Sequence, residues 1–148
     1  MACDLCNSPI VYSVIESRKL SIFYIFMGQY IFKTLLDTVI ASITGGCAGV
    51  AGYRRLGFQF KAAAISSGSG LFKVQGTVNG ADWTYLNTLI DNVTNTNSQN
   101  LTRVASKNLT ANGQSLMWLD EGLSLRAIRI SLTRTTDGSY SCYLLASE

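Results

Sequence analysis

Residues 55–64 read RLGFQFKAAA and residues 71–80 read LFKVQGTVNG, and in both stretches apolar and polar residues alternate. Successive side chains of a β-strand point to opposite faces, so each stretch predicts a half-buried antiparallel strand. Asn79-Gly80 is a dipeptide favoured in two-residue type I′ hairpins, and Trp83 and Tyr85 are predicted to begin the returning strand. The predicted inward positions are Leu56, Phe58, Phe60, Ala62 and Ala64 in the first strand, and Phe72, Val74, Gly76 and Val78 in the second.

Four further strands are predicted downstream, at residues 101–104, 115–119, 123–133 and 140–145. The third of them changes phase between Leu125 and Ile128, which predicts a β-bulge near Arg126 or Ala127. Residues 136–139 predict a second hairpin, with Asp137 and Gly138 in its exposed turn. Residues 53–148 are therefore expected to form a mainly β domain, an antiparallel β-sandwich or jelly roll of about seven strands.

Residues 1–52 have a different character and are interpreted as an apolar N-terminal arm or docking segment. Residues 20–32 are almost entirely apolar or aromatic. From Ile31 to Ile43 the apolar positions follow a 3.6-residue period that ends at Gly45-Gly46, which favours an amphipathic helix. The same stretch is rich in Val, Ile and Thr, so a pair of strands is the alternative.

A membrane span over residues 20–43 is a weaker alternative. The segment is long enough to cross the hydrocarbon layer as a helix. However, Lys33 and Asp37 lie inside it, and each would cost roughly 2.5 to 3.5 kcal/mol near the centre of an inserted helix. We therefore do not expect the chain to cross a membrane.

The composition points to assembly. Hydrophobic residues make up 47% of the chain and charged residues only 14%, against about 25% charged residues in an ordinary globular domain. A surface with so few charges is expected to be covered by neighbouring molecules. The net charge of +3 is scattered along the chain, so no basic stripe for nucleic acid is expected.

The sequence lacks the residues and motifs on which most enzymes depend. It contains no histidine, which removes the commonest general base and metal ligand. The Gly-rich pieces lack the frame of a nucleotide-binding loop, and Asp120 and Glu121 are adjacent, so they would point to opposite faces of a strand. We expect no catalysis, no cofactor and no metal.

The four cysteines are expected to be free thiols. Cys3 and Cys6 have the CxxC spacing of zinc and redox sites, but Cys47 and Cys142 stand alone in the sequence. No secretory signal is recognisable before them, so disulfides are not expected.

Residues 91–100, DNVTNTNSQN, contain a single apolar residue. Such a segment cannot pack into a core and predicts a long exposed loop, with Asn95 and Asn97 near its middle. Loops of this kind, together with Asn79-Gly80 and Asp137-Gly138, are where a sandwich usually contacts other molecules.

Residues 72–83, FKVQGTVNGADW, combine an alternating strand, an Asn-Gly turn and a following Trp. This pattern resembles the core hairpin of discoidin-like carbohydrate-binding sandwiches and of small β-sandwich proteins on tailed-bacteriophage particles, such as decoration, head-fibre, collar and tail components. The resemblance covers roughly residues 55–148. It implies a non-enzymatic structural protein of a virus particle, with other virion proteins and copies of itself as partners and the virion as its location.

The apolar N-terminal segment favours this virion hypothesis, because a subunit would use it to hold its neighbours. The residues expected to anchor that interface are Phe23, Tyr24, Phe26, Tyr30 and Phe32, since aromatic residues dominate interface energies. These aromatics could instead fill the chain's own core. A carbohydrate-binding or adhesion module of discoidin-like type, with a glycan as partner, is the alternative function, and a membrane-tethered assembly protein is a further one.

Overall fold

Eleven β-strands and no helix are present in the part of the chain that the computed structural model describes, residues 29–91, 103–119 and 124–148. The mainly β prediction is confirmed, with more strands than the seven or so expected. Consequently none of these residues belongs to a helix that could cross a membrane. The strands are β1 Tyr30–Val39, β2 Ile43–Gly49, β3 Arg55–Ala63, β4 Gly70–Thr77, β5 Thr84–Tyr85, β6 Leu89–Asp91, β7 Arg103–Val104, β8 Lys107–Leu109, β9 Gly113–Leu119, β10 Ala127–Arg134 and β11 Ser139–Ser147.

The strands form two antiparallel sheets that enclose one core. The six-stranded sheet has the order β1-β11-β3-β9-β6-β7. The second sheet has the order β2-β10-β4-β5, and the short strand β8 also pairs with β4. Among the described strands, only β4–β5 and β6–β7 are consecutive within one sheet; every other pair of consecutive strands lies in different sheets. This alternation makes the two sheets one sandwich, because neither sheet is built from a continuous part of the chain.

Aromatic side chains from both sheets meet at the centre of the core. The ring of Phe60 on β3 stacks on that of Phe72 on β4 with 4.7 Å between centroids, and Tyr140 on β11 meets Phe72 edge-on. The predicted inward positions of β3 and β4 are buried as far as Ala62 and Gly76. Ala64 and Val78 were assigned inward wrongly: both are exposed, because β3 ends at Ala63 and β4 at Thr77.

The predicted amphipathic helix between Ile31 and Ile43 does not form, and the competing prediction of two strands is confirmed. β1 pairs with β11, and the register slips by one residue between Thr34 and Leu36. A bulge of this kind places two consecutive side chains, Leu35 and Leu36, in the core. Pairs of adjacent apolar residues, such as Leu35 and Leu36, therefore gave this stretch an apparent 3.6-residue period although it forms strands.

β1 and β2 belong to different sheets of the sandwich, although they lie within the predicted arm, residues 1–52. β1 forms one edge of the six-stranded sheet, and β2 pairs with β10 in the other sheet. Residues 29–52 are thus built into the sandwich. The prediction of a separate arm stays a prediction for residues 1–28, which lie outside the described residues.

Two further sequence-based expectations are wrong. Within the described residues no bulge forms near Arg126 or Ala127, because β10 begins only at Ala127 and pairs with β4 from there without a register shift. A bulge does occur in the neighbouring strand β2, where Gly46 and Cys47 stand opposite the single residue Arg129 and Gly46 adopts a positive φ of 63°. The expected second hairpin does not exist either. β10 and β11 lie in different sheets, so residues 135–138 carry the chain across the end of the sandwich.

Candidate interaction surfaces

The predicted interface aromatics that the structure describes, Tyr30 and Phe32, lie on β1 at the edge of the six-stranded sheet, and each is 66% exposed. Neither fills the core. Phe23, Tyr24 and Phe26 lie outside the described residues. Tyr30 and Phe32 both belong to the outward side of the sheet, because the core-facing side chains of this sheet alternate with the exposed ones.

A row of outward-facing positions runs from Phe32 across the sheet. Phe32 on β1 is opposite Leu145 on β11, Leu145 is opposite Gly57 on β3, and Gly57 is opposite Trp118 on β9. The next row contains Tyr143 and Leu116, on either side of Gln59. We call the five apolar and aromatic members of these rows the apolar strip: Phe32, Leu116, Trp118, Tyr143 and Leu145.

The apolar strip is exposed and partly ordered by its own contacts. Leu116 is 52% exposed and Leu145 50% exposed. The rings of Phe32 and Tyr143 stack with 6.0 Å between centroids and an interplanar angle of 13°. A stacked pair is pre-ordered, so a partner that covers it loses less side-chain entropy on binding.

Gly57 turns the middle of the strip into a groove. A Cβ at this position would meet only the carbonyl oxygen of Leu145, at 3.7 Å, so a side chain would fit there. Because Gly57 has none, a groove of about 380 Å³ opens between Phe32 and Tyr143 on one side and Leu116 and Trp118 on the other. None of the residues that line this groove is charged. It therefore suits an apolar side chain of another molecule.

The Asn79-Gly80 turn is exposed as predicted, but it is not a two-residue hairpin. β4 and β5 pair through Gly76 and Thr84, which leaves a wider loop between them. Gly80 has a positive φ of 84° while Asn79 does not, and a type I′ turn needs both. Instead, the Asn79 side-chain oxygen accepts hydrogen bonds from the backbone N–H groups of Ala81 and Asp82, both at 2.9 Å.

The predicted exposed turn at Asp137-Gly138 is largely covered, and this part of the prediction is wrong. Gly138 is buried and Asp137 is half-buried. The Asp137 carboxylate accepts hydrogen bonds from the Ser66 hydroxyl and from the backbone N–H groups of residues 66–68. The turn is covered because it ties the β10–β11 crossing to the β3–β4 crossing. Asn95 and Asn97, the other predicted loop residues, lie outside the described residues.

The outer face of the second sheet carries a group of residues that the sequence analysis did not single out. Arg129 on β10 is opposite Gln75 on β4, and Gln75 is opposite Tyr85 on β5. The Arg129 guanidinium lies over the Trp83 ring, 4.4 Å from its centroid, and the Lys73 ammonium lies 5.3 Å from the centroid of Tyr85. We call Lys73, Gln75, Trp83, Tyr85 and Arg129 the cation–aromatic patch.

No part of the sequence could have located this patch on its own. Trp83 and Arg129 are far apart in the chain, and only the register of β10 against β4 brings them together. What the sequence could show was the alternation of apolar and polar residues in β4, which places Lys73 and Gln75 on the outward side, opposite Phe72 and Val74.

The described residues contain no group of three or more potential metal ligands of the His, Cys, Asp or Glu type. Cys47 and Cys142 are both buried. Burial in apolar surroundings raises the pKa of the Cys142 thiol, because it disfavours the thiolate. Cys142 is therefore poorly suited to act as a nucleophile. Cys3 and Cys6 lie outside the described residues.

No protein-family model and no curated protein matches the chain. Among solved structures, the crystal structure of SPBc2 prophage-derived protein YomS is similar to it. The two structures align with a TM-score of 0.56 over 82% of this chain and 96% of that chain, at 15% sequence identity. At this identity the likeness shows the fold alone. The aligned share is larger than residues 53–148, so the likeness includes residues that precede Tyr53.

Proposed function

We propose that this chain is a non-enzymatic structural protein of a bacteriophage particle, associated with the capsid or tail, which assembles with copies of itself and with other virion proteins. The observation that carries the proposal is the apolar strip on the six-stranded sheet. The virion would be its location, and no cofactor, metal or nucleic acid takes part.

The apolar strip has the chemistry of the centre of a protein interface. Interface centres are poor in charged residues and rich in aromatic ones, and the strip combines Phe32, Trp118 and Tyr143 with two leucines. Its members lie on β1, β11 and β9. The strand between β11 and β9 is β3, which contributes Gly57 and Gln59 to the same rows, so the members form one continuous area instead of scattered exposed residues. Contiguous apolar surface of this kind usually marks an interaction site.

The occupant that we assign to the strip is a second copy of this chain. A protein with only 14% charged residues has little charge with which to keep its surfaces apart. A subunit that repeats around a ring or along a tube presents such a face to its neighbour many times over. Because the same contact is repeated between all neighbouring subunits, a modest affinity per contact is sufficient to hold the assembly together.

Two more observations support a phage particle. The fold is similar to that of a prophage-derived protein, and residues 72–83 resemble the hairpin of small sandwich proteins on phage particles. The apolar residues 20–28 lead directly into Tyr30, at the edge of the strip. In the proposed assembly the N-terminal segment, with Phe23, Tyr24 and Phe26, adds to the interface that the strip begins.

Light scattering on the full-length protein tests this function. We expect the wild type to form a defined assembly, and Leu116→Lys to shift it towards monomer, because an ammonium would be buried in the apolar centre of the interface. The loss is expected to be about 2 kcal/mol per interface, or roughly thirtyfold in Kd. Ile40→Lys is the matched control, since Ile40 is an exposed apolar residue outside the strip.

A wild type that stays monomeric at all accessible concentrations would contradict the proposal, and so would an assembly that Leu116→Lys and Ile40→Lys weaken equally. Circular dichroism and urea unfolding of each variant show that a monomer arises from a lost interface and not from unfolding. Replacement of Phe23, Tyr24 and Phe26 by Ser in the full chain then tests the contribution of the N-terminal segment separately.

A further inference from the structure

The cation–aromatic patch lies on the face of the sandwich opposite the apolar strip and has a different chemistry. It offers two aromatic side chains, one side-chain amide and two cations: Trp83, Tyr85, Gln75, Lys73 and Arg129. Tyr85 is 52% exposed. The proposed assembly does not use these residues, so any role for them is independent of it.

The patch is held in place by its own contacts. Gln75 is only 7% exposed although it lies on the outward side of β4. Its side-chain oxygen accepts a hydrogen bond of 2.6 Å from Nε of Arg129. The Trp83 ring holds the same guanidinium through a cation–π contact. Arg129 is therefore fixed before any ligand arrives, which lowers the entropy lost on binding.

The hydrogen-bond donors that the patch can offer to a ligand belong to positively charged groups. A guanidinium has five N–H donors in a planar fork, and within the described residues Arg129 uses only its Nε in a hydrogen bond. Its two terminal nitrogens remain available, and the Lys73 ammonium lies on the neighbouring strand. Lys73 and Arg129 are diagonal neighbours across the β4–β10 pair, a position at which Cα atoms are typically about 7–8 Å apart.

Among the residues that the structure describes, no carboxylate belongs to the patch. The nearest one in sequence, Asp82, precedes Trp83, and its side chain accepts a hydrogen bond of 2.7 Å from the amide of Asn79. The patch therefore complements an anionic ligand. The exposed ring of Tyr85 beside the cations adds a flat apolar surface, which suits the C–H face of a sugar ring through dispersion contacts.

We propose that the cation–aromatic patch binds an anionic saccharide. The acidic group, a carboxylate or a phosphate, accepts hydrogen bonds from the terminal N–H groups of Arg129 and from Lys73, and the sugar ring packs on the exposed ring of Tyr85. Planar pairing of a guanidinium with an acidic group gives strong, directional hydrogen bonds. Single-stranded nucleic acid is the less suitable ligand, because its binding sites track several phosphates and the patch holds two cations.

The two tryptophans of the chain provide the readout. Trp83 lies in the patch and Trp118 in the apolar strip, and the sequence contains no other tryptophan. The full-length protein therefore gives two indole N–H signals in a nitrogen-proton correlation spectrum, one for each face. The variant Trp118→Phe assigns the two signals, because only the signal of Trp83 then remains.

The experiment is a titration with sialyllactose, trigalacturonate and a sugar phosphate. Lactose serves as the neutral sugar, inorganic phosphate as the anion without a sugar, and oligothymidine as the nucleic acid. We expect at least one anionic sugar to shift the Trp83 signal saturably, while the Trp118 signal stays in place and lactose has little effect. Arg129→Gln is expected to weaken binding by about tenfold or more, with Arg129→Lys between it and the wild type.

Lys61→Gln is the matched control, because it removes one cation from an exposed position of the other sheet; it is expected to change binding by less than about twofold. The proposal is overturned if no anionic sugar shifts Trp83, or if lactose or phosphate alone binds equally well. It is also overturned if oligothymidine binds more tightly than every sugar, or if the shift appears at Trp118. Urea unfolding of Arg129→Gln separates lost binding from lost folding.

Discussion

Replacement of Gly70 by alanine tests how the two sheets are joined. Gly70 begins β4 and pairs with Arg134 on one side and Leu109 on the other, so neighbours hold its backbone in place. A Cβ here would lie less than 3 Å from three atoms of the Tyr140 ring. The ring cannot withdraw, because Tyr140 is fully buried and its hydroxyl donates a 3.0 Å hydrogen bond to the carbonyl of Asp137.

The expected cost follows from this geometry. Overpacking of a well-filled core usually destabilises by about 1–3 kcal/mol, and the upper part of that range applies here because neither the backbone nor the ring can move. Gly49→Ala is the matched control. Gly49 also lies in a strand, but a Cβ there meets nothing within 4 Å, so the alanine is expected to stabilise by about 0.4–1 kcal/mol by restricting the unfolded chain.

Urea unfolding, followed by circular dichroism, measures both variants. Gly70→Ala should lower the unfolding midpoint at an unchanged m-value, and Gly49→Ala should not. A Tyr140→Leu background should reduce the cost of Gly70→Ala by about 1 kcal/mol or more, because the clashing ring is gone. The close approach of β4 to Tyr140 is wrong if Gly70→Ala is as stable as the wild type. It is also wrong if Gly70→Ala lowers the free energy of unfolding equally in the wild type and in the Tyr140→Leu background.

Three further predictions concern other parts of the fold. Hydrogen bonds from the Ser66 side chain, and then from the backbone of residues 66–68, hold the pKa of Asp137 below its usual 3.8. The ionised carboxylate therefore stabilises the fold above that pH. The difference in free energy of unfolding between the wild type and Asp137→Asn should shrink as the pH is lowered below 3.8. Ala64→Gly should stabilise by about 0.5–1 kcal/mol in thermal unfolding, because Ala64 is exposed and has a φ of 55°; an unchanged or lower Tm contradicts that strain. Cys142 should resist iodoacetamide in the native protein and react once the protein is unfolded, as peptide mapping by mass spectrometry would show, because it is buried and its thiol pKa is raised; rapid native alkylation contradicts the assigned burial.

The fold was predictable wherever alternation alone decided it. The inward positions of β3 and β4, from Leu56 to Ala62 and from Phe72 to Gly76, follow directly from the two-residue period, although Gln75 and Thr77 on the other side of β4 are buried as well. β1 was not decided by period, because a bulge sets Leu35 and Leu36 side by side in the core. A bulge depends on the partner strand, β11, which lies at the other end of the sequence.

The same limit explains the interaction surfaces. Tyr30 and Phe32 were predicted to lie at an interface from their residue type, and the structure places both on an exposed sheet edge. Leu116 and Leu145 were not predicted to lie on the same outer face as Phe32, because only the registers of β1, β11, β3 and β9 bring their two adjacent rows together. The Asp137 turn was predicted to be an exposed hairpin, since sequence shows a turn but not which sheets it connects.

The two outer faces differ in a way that decides which of them suits assembly. Covering the cation–aromatic patch with a neighbouring subunit would bury Lys73 and Arg129, and the loss of hydration costs several kcal/mol for each ion that finds no partner. Covering the groove of the apolar strip removes hydrocarbon from water, and no charged residue lines that groove. An assembly through the six-stranded sheet therefore leaves the patch on the far side of every subunit. A particle built in this way would present many copies of one weak saccharide site, and their combined avidity would make a modest affinity per site sufficient.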